Sequence, residues 1–178
     1  MFPYRLRLRN ATTGQINTGG AVEGGEKYGL ALEASTGALD RGVERRYVYV
    51  FALDAFGNAT LLFPRVTAGN VENRVPYESA DSGAGFPTQI QLGRPHLFTV
   101  GPPYGVDTYV LLSTAHPIPD PGVLQFKGVR VRGASAPADD PLTRLLRTVG
   151  STTRGEGSVA PADWSIDRLS VRSSPTPR

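Results

Sequence analysis

Two histidines, His96 and His116, sixteen carboxylates and no cysteine make up most of the reactive inventory of this 178-residue chain. Without cysteine there is no disulfide, no thiolate nucleophile and no cysteine-ligated zinc or iron–sulfur site. Ser113, His116 and Asp120 could be drawn as a hydrolytic triad. Triad members normally arrive from separate elements, and these three lie within one short stretch with no Gly-x-Ser-x-Gly turn. His116-Pro117 reads more simply as the end of a strand. A metal site would need His96, His116 and Asp107 to converge. That requires strands over 96–100 and 106–114 to pair as a hairpin, and the two histidines would then fall near opposite ends of it. Neither His-x-x-x-His nor Asp-x-Asp-x-Asp-Gly spacing occurs. Glu44, Asp54 and Asp107 are the carboxylates to weigh for glycoside hydrolysis, which needs a spatial pair. All three sit at strand ends or turns, where solvation is the ordinary state. Gly19, Gly20, Gly24 and Gly25 do not lead from a strand into a helix, so they lack the context of a phosphate cradle. Two Asn-x-Thr triplets, at Asn10 and Asn58, matter only in a secretory eukaryotic setting; Asn58 also suits a turn after Gly57. The expectation is no catalytic residue, no metal and no cofactor.

Recognition is the stronger lead. Tyr77, Phe86 and Tyr104 lie outside the core pattern, beside Pro and Gly, and Arg65 and Arg74 share the 64–87 connection with two of them. These five are the candidate binding residues, for a protein partner or, with the aromatics as a platform, for a glycan. The competing role for such aromatics is to fold back over sheet edges. Net charge is +3, and the basic residues are nearly all Arg. Arg5, Arg7 and Arg9 alternate with Leu6 and Leu8, which puts all three on one strand face. Read as a wet face, this gives no reason to expect a nucleic-acid partner. No apolar run has the length of a membrane span, and the N-terminal stretch has no signal-peptide core. The expected location is the cytosol or, if the chain is a fragment of an exported protein, outside it.

The elements that must carry these loops are strands. Gly (21) and Pro (15) are spread between short apolar segments, which is the pattern of strands joined by turns. Segment 4–9 alternates, with Tyr4, Leu6 and Leu8 inward. Segment 10–25 reads as a loop. Segment 27–33 alternates again through Tyr28, Leu30 and Leu32. The most apolar stretch, 46–63, reads as a hairpin with both arms buried, turning at 54–58 with Gly57 at positive φ and stopped by Pro64. Residues 73–77 suit a short edge piece, 89–92 and 96–100 two modest strands, and 106–114 a second core strand. Asp107 is expected to hydrogen-bond the amides of the preceding turn. Residues 124–131 suit a further strand. Asp140 and Pro141 suit the start of a helix with its stripe at Leu142, Leu145, Leu146 and Val149, closed by Gly150. A last strand runs over 164–171. Trp164 and Ile166 share one phase and Leu169 and Val171 the other, so a bulge at Asp167-Arg168 is expected to realign them. Residues 173–178 are expected to be a flexible tail.

Several segments together resemble a known family. They are Tyr28-Gly-Leu-Ala-Leu32, Tyr47-Val-Tyr-Val-Phe-Ala-Leu-Asp54, Leu62-Phe-Pro64, Asn73-Arg-Val-Pro-Tyr77, the Gly101-Pro-Pro-Tyr-Gly105 turn and the strand after it. The family is domain of unknown function 4384, and the resemblance covers about 20–118. It implies a non-catalytic module found C-terminal to bacterial catalytic domains, caspase-like peptidases in particular, and brings no active-site residues. The stretch 119–172 is similar to the extension of caspase-associated members. The expectation is one all-β domain over 1–172, an antiparallel β-sandwich of about seven to nine strands with one short C-terminal helix. Its expected role is accessory or regulatory, through a protein partner or a covalently linked catalytic domain; the alternative is a carbohydrate- or cell-surface-binding sandwich.

Overall fold

The computed structural model describes residues 2–39, 42–54, 57–65, 72–77, 85–125 and 164–176. The fold is all-β, with two sheets. The first contains β1 (Arg5–Asn10), β2 (Ile16–Asn17), β4 (Lys27–Glu33), β8 (Gln89–Leu92) and β9 (Phe98–Thr99), in the order β2-β1-β4-β8 with β9 also on β4. The second contains β3 (Gly20–Glu23), β5 (Arg46–Leu53), β6 (Ala59–Phe63), β7 (Arg74–Val75), β10 (Val106–Thr114) and β11 (Trp164–Ser174), in the order β3-β11-β10-β5-β6 with β7 also on β5. Beside the strands lie a single helical turn, α1 (Thr36–Leu39), and a 3-10 turn, Pro121–Leu124.

The sheets share one buried cluster. Tyr4, Leu6, Leu8, Leu30 and Leu32 from the first sheet meet Val48, Val50, Tyr109, Leu111, Leu169 and Val171 from the second. Each fully buried Leu or Val here contributes roughly 1.5–3 kcal/mol. The alternation in 4–9 and 27–33 therefore points inward as expected. The second sheet is apolar on both faces. Tyr49, Phe51, Leu61, Val110 and Leu112 form a separate cluster, closed by Leu124 of the 3-10 turn. This explains why 47–53 reads as an unbroken apolar run.

The same two-sided burial corrects the expected bulge in β11. Its pairing with β10 is continuous from Trp164 opposite Thr114 to Arg172 opposite Val106. Trp164 and Ile166 pack on the outer cluster, whereas Leu169 and Val171 enter the shared one. The phase change marks a strand that gives one half to each core.

Other expectations are also corrected. There are eleven strands among the described residues rather than seven to nine, because β2, β7 and β9 are only two residues long. The pairing is not wholly antiparallel: β3 runs parallel to β11, from Gly20 opposite Val171 to Glu23 opposite Ser174. Segment 10–25 is not all loop, since it contains β2 and β3. Strands 96–100 and 106–114 do not form a hairpin; β9 belongs to the first sheet and β10 to the second, so the chain changes sheets across the Gly101–Gly105 turn. Leu124 and Gln125 end and cap the 3-10 turn rather than opening a strand. The end of the chain is not free at 173: Ser173 and Ser174 complete β11, and Thr176 Oγ1 donates to the Gly24 carbonyl at 2.6 Å. The rest of the expected 124–131 strand and the helix at 140–150 lie outside the described residues.

The 46–63 hairpin forms as expected. Asp54 closes its turn by accepting from the Asn58 amide at 2.8 Å and from Asn58 Nδ2 at 2.6 Å, and Gly57 takes φ 79°. The expected edge piece appears as β7 on the start of β5.

Candidate binding cleft

The chain leaves the first sheet at β2 and joins the second at β3, and the backbone diverges between them. Gly19 makes the crossing at φ 117°, in the region that favours glycine. A polar cleft of about 400 Å³ opens at this seam, lined entirely by residues between Asn10 and Tyr28. Two asparagines shape its walls. Asn10, at the end of β1, accepts from the amides of Thr12 and Thr13 at 2.9 and 3.0 Å, an Asx turn that folds the chain back toward β2. Asn17 Oδ1 accepts from the Gly19 amide at 2.8 Å, and its Nδ2 donates to the Ala21 carbonyl at 3.4 Å.

Glu26 forms the floor. Its Oε2 accepts from the Glu23 amide at 2.7 Å and from the Tyr28 hydroxyl at 3.0 Å, and its Oε1 accepts from Asn10 Nδ2 at 3.3 Å. The carboxylate is thus oriented by three donors from three positions of the chain. Burial pushes the Tyr28 hydroxyl above its ordinary range, and the bond to Glu26 adds to this, so Tyr28 stays a donor. At the mouth, the side chains of Gln15, Thr18 and Glu23 are exposed and have no partner among the described residues. Four other carboxylates, those of Glu33, Glu44, Glu72 and Asp167, each hold an arginine.

The residues expected to bind are spread over the fold. Phe86 is exposed just ahead of β8, where the Pro87 carbonyl accepts from the Tyr4 hydroxyl at 2.8 Å. Tyr104 is exposed on the crossing turn, with its ring over Gly24. β8 begins opposite Glu33 and Gly24 precedes Lys27, so Phe86 and Tyr104 stand at opposite ends of β4, about 20 Å apart at strand rise. They do not share a platform. Tyr77 follows β7; burial, then Glu72, raises its hydroxyl. Arg74 lies with its guanidinium 5.7 Å from the centre of the Tyr47 ring. Arg65 donates to the Leu97 carbonyl at 3.2 Å, tying the end of β6 to the first sheet. Both arginines therefore hold the fold as well as facing water.

The residues weighed for chemistry are engaged elsewhere. Ser113 is fully buried with its hydroxyl 2.7 Å from that of Ser165, and Asp120 Oδ1 accepts from the Gly122 amide at 2.9 Å. His96 lies 3.1 Å from the Thr99 hydroxyl in the other sheet. Asp107 does not bind the turn: the Gly105 amide donates to Ser173 Oγ at 3.0 Å instead. Burial, reinforced by the charge of Asp54, holds the Asp107 carboxyl above its usual range. Of the arginine stripe, Arg5 pairs with Asp167 at 3.2 Å and Arg7 with Glu33 at 3.0 Å. Among the described residues no group of three metal-ligating side chains is found, and no helix is long and apolar enough to cross a membrane.

Sequence reasoning missed the cleft because it read 10–25 as a loop. The signal was present as Asn10, Asn17 and the glycines of one turn-rich stretch. Comparison with protein-family models, with curated proteins and with solved structures found no match to the chain.

Proposed function

We propose that the chain is a non-catalytic binding module, an accessory domain of a larger bacterial protein that carries a caspase-like peptidase. The observation that carries the binding reading is the cleft: its floor is held rigid by mutual hydrogen bonds while Gln15, Thr18 and Glu23 remain open at its mouth. Rigid walls with open polar groups suit recognition, because little ordering entropy is lost on binding. Support for the accessory role comes from the family resemblance, whose segments fall on β4, β5, β6, β7 and β10 and their turns. These are core and turn positions, so they describe a scaffold, and loops on such a scaffold carry recognition.

The test uses the isolated chain and the full reading frame. The isolated chain is expected to give no turnover with fluorogenic peptide and glycoside panels. Removing it from the full protein is expected to alter substrate capture or regulation while the peptidase keeps its turnover on small peptides. Robust hydrolysis by the isolated chain, abolished by Asp107→Asn or His116→Ala, would overturn the reading.

A further inference from the structure

We infer that the cleft between β2 and β3 takes a neutral, polyhydroxylated ligand, a mono- or disaccharide unit of a glycan. The inference rests on the reading of this cleft as the recognition site, not on the accessory role. Its basis is the set of hydrogen-bonding groups left open. Gln15 offers an amide donor and acceptor, Thr18 a hydroxyl that does both, and Glu23 an acceptor. Glu26 Oε1 is engaged by one long bond of 3.3 Å and keeps a free lone pair. A pair of vicinal sugar hydroxyls both donates and accepts, so it matches a carboxylate beside an amide. An inorganic anion would face Glu23 and Glu26 with few donors to offset them.

The volume of about 400 Å³ falls within the range of small-molecule sites, about 300–1,000 Å³. The Tyr28 ring is buried, with 4% exposure, so it gives no stacking face, and recognition proceeds by hydrogen bonds alone. The affinity expected of such an open site is on the order of 1 mM.

The experiment is a two-dimensional amide NMR titration of the whole chain with glucose, galactose, mannose, N-acetylglucosamine, maltose and cellobiose. At least one sugar is expected to shift amides within 10–28 saturably. Glu23→Ala and Gln15→Ala are each expected to weaken that binding about tenfold. Both side chains are exposed and make no bond among the described residues, so the variants are expected to keep their structure. Tyr77→Ala and Phe86→Ala are expected to leave it unchanged. No saturable shift at about 50 mM of any sugar overturns the inference. So does a cleft that responds to an arginine-rich peptide or inorganic phosphate but to no sugar. Sugar binding mapped to the Gly101–Gly105 turn overturns it too, while leaving the binding-module reading in place.

Discussion

Asp167 offers a sharp test of how the two sheets are joined. β2 pairs β1 only at Leu8 and Arg9, so the Leu6 amide on that side has no strand to meet. Asp167 reaches across from β11, and its Oδ2 accepts from the Leu6 amide at 2.8 Å while Oδ1 pairs with Arg5 at 3.2 Å. Two contributions are separable. A charge-assisted bond to a backbone amide, whose loss strands a part-buried donor, accounts for about 1–3 kcal/mol. The ion pair involves an Arg5 side chain 70% exposed, so screening leaves it about 0–0.5 kcal/mol. Asp167→Ala should therefore cost about 2 kcal/mol. Asp167→Asn keeps an acceptor and should cost about 1 kcal/mol or less. Arg5→Ala should be close to neutral. At about 2–4 °C per kcal/mol for a chain of this length, Asp167→Ala lowers Tm by about 4–8 °C. Urea unfolding followed by the single tryptophan, Trp164 at the start of β11, reads these differences directly. Repeating it in about 1 M NaCl screens the ion pair and spares the amide cap. If Arg5→Ala costs as much as Asp167→Ala, or if salt erases the Asp167→Ala deficit, the amide cap is not what joins the sheets.

The remaining predictions follow from equally local features. A Cβ on Gly29 would run into the Pro95 carbonyl, backbone against backbone, so Gly29→Ala should cost about 2 kcal/mol or more in urea unfolding. Leu169→Ala should cost about 2–4 kcal/mol, and Ile166→Ala, only half-buried on the outer cluster, clearly less. A bulged β11 would instead make them equal. Asp107 has a folded-state pKa raised by burial and by Asp54. Its contribution is therefore fully present below the unfolded value of about 3.9 and is lost as pH rises through the folded value. Asp107→Asn should raise Tm at pH 7, with the gain fading toward pH ~3.5; a gain independent of pH would refute the assignment. Truncation after Arg172 removes the Ser173 amide bond to Gly105 and the Gly24 amide bond to Ser174, both 2.8 Å, and should lower Tm, whereas truncation after Thr176 should not.

Strands whose side chains alternate or run unbroken were legible in the sequence. β1, β4, β8 and β10 lie within a residue of where their patterns place them, because one or both faces must be apolar to be buried. The hairpin of β5 and β6 was legible from its turn chemistry. β2 and β3 were not, since Ile16 and Val22 are their only large aliphatic residues and pairing partners, not patterning, make them strands. β2 is too short to show a pattern, and the partner of β3 lies at the far end of β11, which no local window contains. The cleft was missed for the same reason: its shape comes from where two edge strands part. Asp167 carried a misleading signal, as a charged residue at a change of phase looks like a bulge until both faces of the strand are known to be buried. Tyr77, Phe86 and Tyr104 are exposed, whereas the sequence left open whether they face water or fold back over sheet edges, and proximity to Pro and Gly says nothing about whether three loops meet.

The place of β11 has a consequence for the order of synthesis. It sits between β10 and β3, both of which leave the ribosome well before it. At about 5–20 residues per second, the interval between Thr114 and Trp164 leaves the β10 edge open for about 3–10 s. Over that time the inner ends of Tyr109 and Leu111 lack the neighbours Leu169 and Val171 that later close the shared cluster. The nascent chain therefore holds an apolar sheet with one unfinished edge, and the step that completes it joins residues on either side of most of the sequence. Such long-range closure is slow. Among the described residues, β11 is the strand that closes that edge.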